Sequence, residues 1–305
     1  MSATAVGGPA LRWELREGTG EILDKRLLAP GIHRYAVRAP EIAKARQAGQ
    51  FVIVRPRPDA ERIPLTIAGG DEDSIILIVQ EVGKTTAMMA DMTAGESLTD
   101  LCGPLGRPTH IEKLGSVAVV AGGIGAAPAL PIAAALRRAG NRVTAILGAR
   151  SRELLILEHE LRSVSDRLVI TTDDGSVGLR GFVTTALEQL IEADPGLAQV
   201  FAVGPALMMQ KVCEVTRPRR IPTVVSLNTI MIDGTGMCGG CRASVGGQTR
   251  FVCVDGPEFD GHEVDFALMI RRQAMYAGQE RMVYQAYQEQ RRCRLQRHAA
   301  AGSLA

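Results

Sequence analysis

Asp233, Cys238, Cys241 and Cys253 are the residues of this chain whose types and spacing most directly suggest chemistry. They fall in the stretch MIDGTGMCGGCRASVGGQTRFVCVDGPEFDG, separated by 4, 2 and 11 residues. That is the C-x4-C-x2-C…C spacing of a plant-type 2Fe–2S site, with an aspartate where the first cysteine would stand. Thiolates suit iron–sulfur clusters because soft sulfur donates charge into the iron core. Gly234, Gly236, Gly239 and Gly240 let the backbone curl tightly and offer N–H groups to cluster sulfurs. Zinc is the rival metal. A Cys-x2-Cys pair with a third cysteine fits it, but a structural zinc site wants four ligands, and the other nearby candidate is His262. Asp233 has a second reading as a turn residue before Gly234.

A glycine turn supplies the next candidate. Gly122-Gly123-Ile124-Gly125-Ala126-Ala127-Pro128 follows the apolar run VAVVA and precedes a helical pattern. Such a turn lets a pyrophosphate approach the backbone, where a helix N-terminus offers unpaired N–H groups and the positive end of its dipole. It is expected to bind a nicotinamide nucleotide, NAD or NADP, although tight turns of this kind also use glycine for geometry alone. Asp174, in TTDDG, and Gly204, in VGP, end later strands on the same expected edge, where ligands of open α/β sheets bind. Arg150 and Ser151 could meet a 2′-phosphate.

Two further segments precede that turn. In Arg62-Ile63-Pro64-Leu65-Thr66 a cation stands four residues before a hydroxyl. An arginine can pair with a diphosphate, and a threonine can hydrogen-bond a flavin ring. Gly83-Lys84-Thr85-Thr86 opens a short helix, another phosphate-cradling arrangement. Surface arginines and N-capping threonines are also commonplace. With a hydride carrier on one side and a one-electron cluster on the other, a flavin is the missing converter.

The elements that would position these residues change texture along the chain. Residues 1–12 read as a loose leader. From there to residue 110 apolar, partly alternating segments broken by Gly, Pro and Asp predict a β-barrel with one short helix. Residues 115–222 alternate strands and helices, which predicts an α/β doubly wound parallel sheet. RELLILEHELRSV is expected to be one helix. Residues 223–267 form a small glycine-rich cluster module. Residues 268–305 form a C-terminal helix and tail, rich in arginine: Arg271, Arg272, Arg281, Arg291, Arg292, Arg294 and Arg297. That helix is expected to be either a docking element or a solvated face.

Composition removes several functions. The net charge of +2 and an aromatic content of 4% argue against a nucleic-acid surface. The uncharged run Val117 to Leu136 is long enough to suggest a membrane span, but its glycines and prolines predict a strand, a turn and a buried helix instead. MSATAVGGPALRWEL lacks the apolar core of a signal peptide, so a cytoplasmic setting is expected. Cys102 and Cys213 are expected to be packed, and Cys293 to be a tail thiol.

ERIPLTIA, VGKTTAMM, GPLG, GGIGAAP, LLILEHEL, TDDGSVGLRGFVT, DGTGMCGGCR and FVCVDGPEFDGH together resemble the ferredoxin-reductase-like electron-transfer subunits, including those of dihydroorotate dehydrogenase. The chain is similar, more closely, to the small subunits of NADH-dependent reduced ferredoxin:NADP oxidoreductases. The resemblance covers nearly the whole length. It implies FAD between barrel and sheet, with Thr66 near the flavin and Gly83, Thr85 and Thr86 near its phosphates. It implies NAD(H) over Gly123, Gly125 and Pro128, and a cluster held by Asp233, Cys238, Cys241 and Cys253. The dihydroorotate relatives have cysteine in place of Asp233. The wider family places its arginine three residues before the flavin hydroxyl, where this chain has Ile63. The resemblance also implies a larger flavin- and iron–sulfur-bearing partner, glutamate-synthase-small-subunit-like in the bifurcating relatives, with ferredoxin as a further partner. Electron-transfer subunits of dihydroorotate dehydrogenase and of hydrogenase or sulfur-reductase complexes are the alternatives within the family. A zinc-stabilised nucleotide-binding protein is the alternative outside it.

Overall fold

Alternating apolar residues make the first part of the chain pair into an antiparallel sheet that curls on itself. In this computed structural model residues 18–302 are described. The expected leader, residues 12–17 of the barrel segment and the last three residues lie outside that range, as do the side chains of Arg294 and Arg297. The barrel consists of β1 (Ile22–Ala29), β2 (Ile32–Arg38), α1 (Pro40–Ala45), β3 (Phe51–Arg55), β4 (Ile63–Gly70), β5 (Ser74–Gln80), α2 (Lys84–Asp91) and β6 (Asp100–Leu105). The strand order is β1-β2-β5-β4-β3-β6. The two edges meet where the Ile22 N–H donates to the Glu96 carbonyl at 2.8 Å and the Gly95 N–H to the Ile22 carbonyl at 2.8 Å. Tyr35, Val52, Ile75, Leu77 and Met89 fill the interior.

Helix α1 was not expected; its signal in the sequence is a proline at the first turn followed by Glu41, with Lys44 in the last turn. Cys102, expected to be packed, is exposed on β6. Cys213 is buried, and burial pushes its thiol up to about 12.

The second unit runs β7 (Ser116–Gly122), α3 (Ala126–Arg138), β8 (Arg142–Ala149), α4 (Glu158–Val164), β9 (Arg167–Thr172), β10 (Leu179–Arg180), α5 (Val183–Ala193), β11 (Leu197–Val203), α6 (Ala206–Thr216) and β12 (Thr223–Ser226). Its sheet order is β10-β9-β8-β7-β11-β12, all parallel. Helices α3 and α4 pack on one face and α5 and α6 on the other, so β7 is buried along its whole length. Continuous apolar strands follow from burial on both faces. The uncharged run is thus β7, a turn and α3. Among the described residues no helix is long and apolar enough to cross a membrane.

RELLILEHELRSV is not one helix. Leu157 takes a left-handed conformation, φ 58°, and α4 begins after it. Ile156, Leu157 and Leu161 are buried against the α3 face of the sheet, and that burial outweighs helix propensity.

The parallel sheet also continues past residue 222 into β12, and the cluster module joins it. That module contains β13 (Arg242–Val245), β14 (Gln248–Phe251), α7 (Val252–Asp255) and β15 (Glu258–Asp260). Strand β15 pairs antiparallel with β12 and forms the edge of the sheet. The chain then forms α8 (Phe266–Gln273) and α9 (Ala277–Gly302).

One core joins all three units. Phe51 and Ile53 of the barrel, Ala118, Val120 and Val200 of the sheet, and Cys241, Val252 and Cys253 of the module belong to a single buried cluster. Glu258 sits at this junction, where the Thr109 hydroxyl donates to its Oε1 at 2.7 Å. Burial pushes its carboxyl up to about 7. The folded protein therefore holds a proton here that the unfolded chain releases near its ordinary value. Stability is expected to be greatest below the unfolded value, to fall as pH rises from there to about 7, and to level off above. Glu258→Gln keeps the acceptor and removes the ionisation. It should flatten that slope and gain on the order of 2 kcal/mol over wild type at pH 8. Unfolding curves at pH 5 and pH 8 test this, and parallel slopes for the two proteins would refute it.

Candidate functional site

The carboxyl ends of β7 and β11 diverge at the crevice where strand order reverses, the ligand-binding position of an open α/β sheet. Gly123 lines this crevice, while Gly122 and Gly204 beside it pack under Met208, whose Sδ would lie 2.4 Å and 3.0 Å, respectively, from a Cβ at each. Gly123 has φ 55°, and a Cβ there would meet nothing within 4 Å, so its backbone faces open space. A Cβ on Gly204 would lie 3.2 Å from the Gly122 nitrogen. Gly125 and Pro128 serve differently: both are buried, and a Cβ on Gly125 would lie only 2.2 Å from the Val203 carbonyl oxygen. They seat α3 against β11 and thereby aim its N-terminus at the crevice. Asp174 is exposed at the end of β9. Its Oδ1 accepts from the Ser176 hydroxyl at 2.6 Å and from the Ser176 N–H at 2.9 Å, which holds the carboxyl below its usual range. An open glycine face at a helix N-terminus fits a dinucleotide diphosphate.

On the barrel, α2 opens with Gly83, whose Cβ would also meet nothing within 4 Å. The Thr86 hydroxyl accepts the N–H groups of Val82 at 2.9 Å and Gly83 at 3.0 Å. Thr85 is buried and its hydroxyl accepts the Glu61 N–H at 3.3 Å. The Lys84 ammonium donates to the Asp59 carbonyl at 3.0 Å. The two hydroxyls thus shape the cradle, leaving the first-turn N–H groups of α2 to meet a phosphate. Arg62 Nε donates to Asp100 Oδ2 at 2.9 Å, so its guanidinium is held across to β6. Pro64, Leu65 and Thr66 lie on β4 opposite β3, with Thr66 half-buried and paired with Phe51.

The third site is the module loop. Gly234, Gly236 and Gly239 take positive φ angles of 74°, 87° and 64°, which produces the tight curl. The Asp233 carboxylate accepts the Thr235 N–H at 3.0 Å and the Cys238 N–H at 2.8 Å. The first of these bonds holds its carboxyl below the usual range. Cys241 and Cys253 are buried, their sulfurs 3.2 Å apart, whereas Cys238 is exposed. Burial, together with the neighbouring Cys241 thiol, pushes the Cys253 thiol up. Among the described residues no three such donors close on one point as a single-ion site requires. Three sulfurs and a carboxylate, with Asp233, Cys238 and Cys241 from the curled loop and Cys253 from α7, suit a two-iron core by their chemistry. His262, the remaining candidate for zinc, instead places Nε2 3.0 Å from the Thr216 hydroxyl on α6.

The loop also touches the barrel. A Cβ on Gly234 would lie 2.6 Å from Leu105 and 2.9 Å from Ile53. Leu105 pairs with Phe51, and Phe51 with Thr66. The loop therefore rests on β3 and β6, one and two strand spacings, about 5 and about 10 Å, from β4.

The oxidoreductase NAD-binding domain matches residues 119–214, and the iron–sulfur-cluster-binding domain of dihydroorotate dehydrogenase B matches residues 228–265. A Thermotoga maritima protein named as a homolog of the dihydroorotate dehydrogenase B (NAD(+)) electron transfer subunit is 42% identical over 284 residues, 92% of this chain and 97% of that one. This chain belongs to that family of electron-transfer subunits. A Clostridium perfringens member, named as the subunit itself, is 31% identical over 81% of this chain and 97% of its own. Among solved structures, one of the NADH-dependent reduced ferredoxin-NADP oxidoreductase superposes with a TM-score of 0.83 at 41% identity, covering 88% of this chain and 97% of that one. Phthalate dioxygenase reductase shares the fold, with a TM-score of 0.55 at 20% identity over 74% of this chain and 85% of its own. As a member of the family the chain is an oxidoreductase subunit.

Proposed function

We propose that this chain passes electrons between NAD(H), FAD and a 2Fe–2S cluster, and exchanges them with a larger flavin- and iron–sulfur-bearing subunit. The observation that carries this reading is the shared core, in which Cys241 and Cys253 are buried with Phe51 and Ile53 of the barrel. A cluster at the loop and a flavin on β4 would thus be held by one packed unit. FAD, when bound, accepts two electrons together and releases them singly. Thr66 with Pro64 and Leu65 lines the flavin side, and α2 with Gly83, Lys84, Thr85 and Thr86 cradles the diphosphate. Gly122, Gly123, Gly125, Pro128, Asp174 and Gly204 form or seat the NAD(H) crevice. Asp233, Cys238, Cys241 and Cys253 hold the irons. Arg272, whose Nη2 donates to the Gly240 carbonyl at 3.3 Å, brings positive charge beside a centre that gains an electron.

The division of labour follows these sites: residues 12–110 for FAD, 115–222 for NAD(H), 223–267 for the cluster, and 268–305 as the C-terminal helix and tail. Exposed Ile232, Met237, Met275 and Tyr276 border the loop and give a larger subunit apolar surface over Cys238. A glutamate-synthase-small-subunit-like partner, exchange with ferredoxin and a cytoplasmic setting complete the reading. Anaerobic NADH should bleach the flavin and then raise the EPR signal of a reduced cluster. Protein with its flavin but without iron, acid-labile sulfide or that signal would overturn the assignment.

Asp233→Cys is expected to lower the cluster midpoint by something on the order of 100 mV, because a thiolate donates more charge than a carboxylate. An unchanged midpoint in a spectroelectrochemical titration would leave Asp233 as a turn former only. The family names of the curated relatives favour a second reading, in which the larger subunit is a dihydroorotate dehydrogenase. Copurification of the native complex decides between the two partners.

A further inference from the structure

Helix α9 does not run free into solvent. Three side chains on one of its faces, Tyr284, Tyr287 and Arg291, reach back to the barrel helix α2. Arg291 Nη1 lies 2.9 Å from Glu81 Oε1, and its Nε lies 2.6 Å from Asp91 Oδ1. The Tyr284 hydroxyl donates to Glu81 Oε1 at 3.2 Å, and the Tyr287 hydroxyl to Asp91 Oδ2 at 2.8 Å. Tyr287 is buried with Ala87 and Met88 of α2. Glu81 precedes the cap residue Gly83 by two positions, and Asp91 is the last residue of α2. One guanidinium therefore bridges both ends of this helix. Its far end is held independently, by Lys25 Nζ donating to the Met92 carbonyl at 2.8 Å and the Tyr35 hydroxyl donating to the Met89 carbonyl at 2.8 Å.

We infer that α9 is a strap that keeps α2 in the pose needed to hold the FAD diphosphate, with Arg291 as the positioning residue. This rests on the reading of α2 as the diphosphate cradle. Two observations separate the strap from general stabilisation. The barrel core is filled by its own strands and by Met89 and Met92, and among the described residues α9 adds Tyr287, with Tyr284 packed beside it, to a small satellite cluster. The ion pairs also sit where charge matters to the ligand: without Arg291, the Glu81 carboxylate loses its ion-pair partner beside the site for two phosphates and repels them more strongly. The matched cluster-binding domain ends at residue 265, before α8 and α9 begin, so the strap lies beyond it.

The test measures release of FAD from the full, cluster-loaded chain after dilution, followed by the rise in flavin fluorescence. Arg291→Met should release FAD about tenfold faster, a change of about 1.4 kcal/mol. Iron, sulfide and NADH binding should stay at wild-type levels. Arg291→Lys should restore retention. Glu81→Gln combined with Arg291→Met should recover part of the loss, because the repelling carboxylate is gone. Wild-type release from Arg291→Met overturns the inference, as does release that Arg291→Lys leaves just as fast. Should Arg291→Met fail to fold, Tyr287→Phe removes the hydroxyl that donates to Asp91 and keeps the ring; it should speed release, and an unchanged rate overturns the inference equally. Gly83→Val isolates the underlying reading, since it puts a branched side chain at the open end of α2. If that variant also keeps FAD, the diphosphate assignment itself falls. If it loses FAD while Arg291→Met keeps it, the strap alone falls.

Discussion

Cys241→Ser is expected to abolish one-electron output while leaving NADH oxidation at the flavin intact. Cys241 is 1% exposed and its sulfur lies 3.2 Å from that of Cys253, so no other described cysteine stands ready to replace it. Partners that merely orient a metal ligand are worth about 10–100-fold in affinity, and here a ligand itself is lost. Iron and sulfide per chain should fall to background, and reduction of one-electron acceptors through the cluster should drop by at least about a hundredfold. Direct reduction of the flavin by NADH should change little, because the crevice at Gly123 and the cradle at Gly83 are built from other elements. Cys102→Ser, which alters an exposed thiol on the barrel, serves as the control and should retain full iron. Full iron content in Cys241→Ser would remove this cysteine from the ligand set.

Gly125→Ala should damage the nucleotide site almost as severely by a different route. The added Cβ would fall 2.2 Å from the Val203 carbonyl oxygen and 3.0 Å from the Gly204 Cα, both backbone atoms of β11 and its end. No side chain can swing away to make room. Overpacking in a dense interior costs about 1–3 kcal/mol, and the upper end applies where the backbone itself must move. The shift carries the N-terminus of α3 off the crevice, so KM for NADH should rise by at least about tenfold, the equivalent of about 1.4 kcal/mol. The flavin spectrum and iron content should be preserved. A wild-type KM would mean that α3 does not aim at the nucleotide.

Much of this was legible in the residues. The alternating strands of the barrel, the βα pattern of the sheet and the limits of α6 follow from apolar period and turn chemistry, and the structure has these elements. The exceptions have physical causes. Helix α1 is six residues long, too short for a hydrophobic period to register. RELLILEHELRSV looks helical residue by residue, yet burial of Ile156 and Leu157 interrupts it with a left-handed residue, so that a short turn over residues 152–154 is separated from α4. Strand β12 follows Pro222 and is only four residues long, so the TVVS run reads as the start of the next unit although the sheet takes it in.

The sites divide in the same way. The glycines and cysteines announce themselves because their chemistry depends on type and spacing. The hydroxyls of Thr85 and Thr86, expected at phosphates, instead accept backbone N–H groups, Thr85 from the distant Glu61 and Thr86 from its own loop, which only three-dimensional packing reveals. The grip of α9 had a signal that composition hid: Tyr284, Tyr287 and Arg291 recur at spacings of three and four along an otherwise arginine-rich helix, which puts them on one face.

Strand β15 begins five residues after Cys253 and borders the NAD(H)-binding sheet. Oxidative destruction of the irons would therefore loosen more than the loop that held them. A freed β15 uncovers β12, and a bare strand edge is a template for self-association. Loss of the cluster is therefore expected to raise the tendency of the subunit to self-associate along this edge.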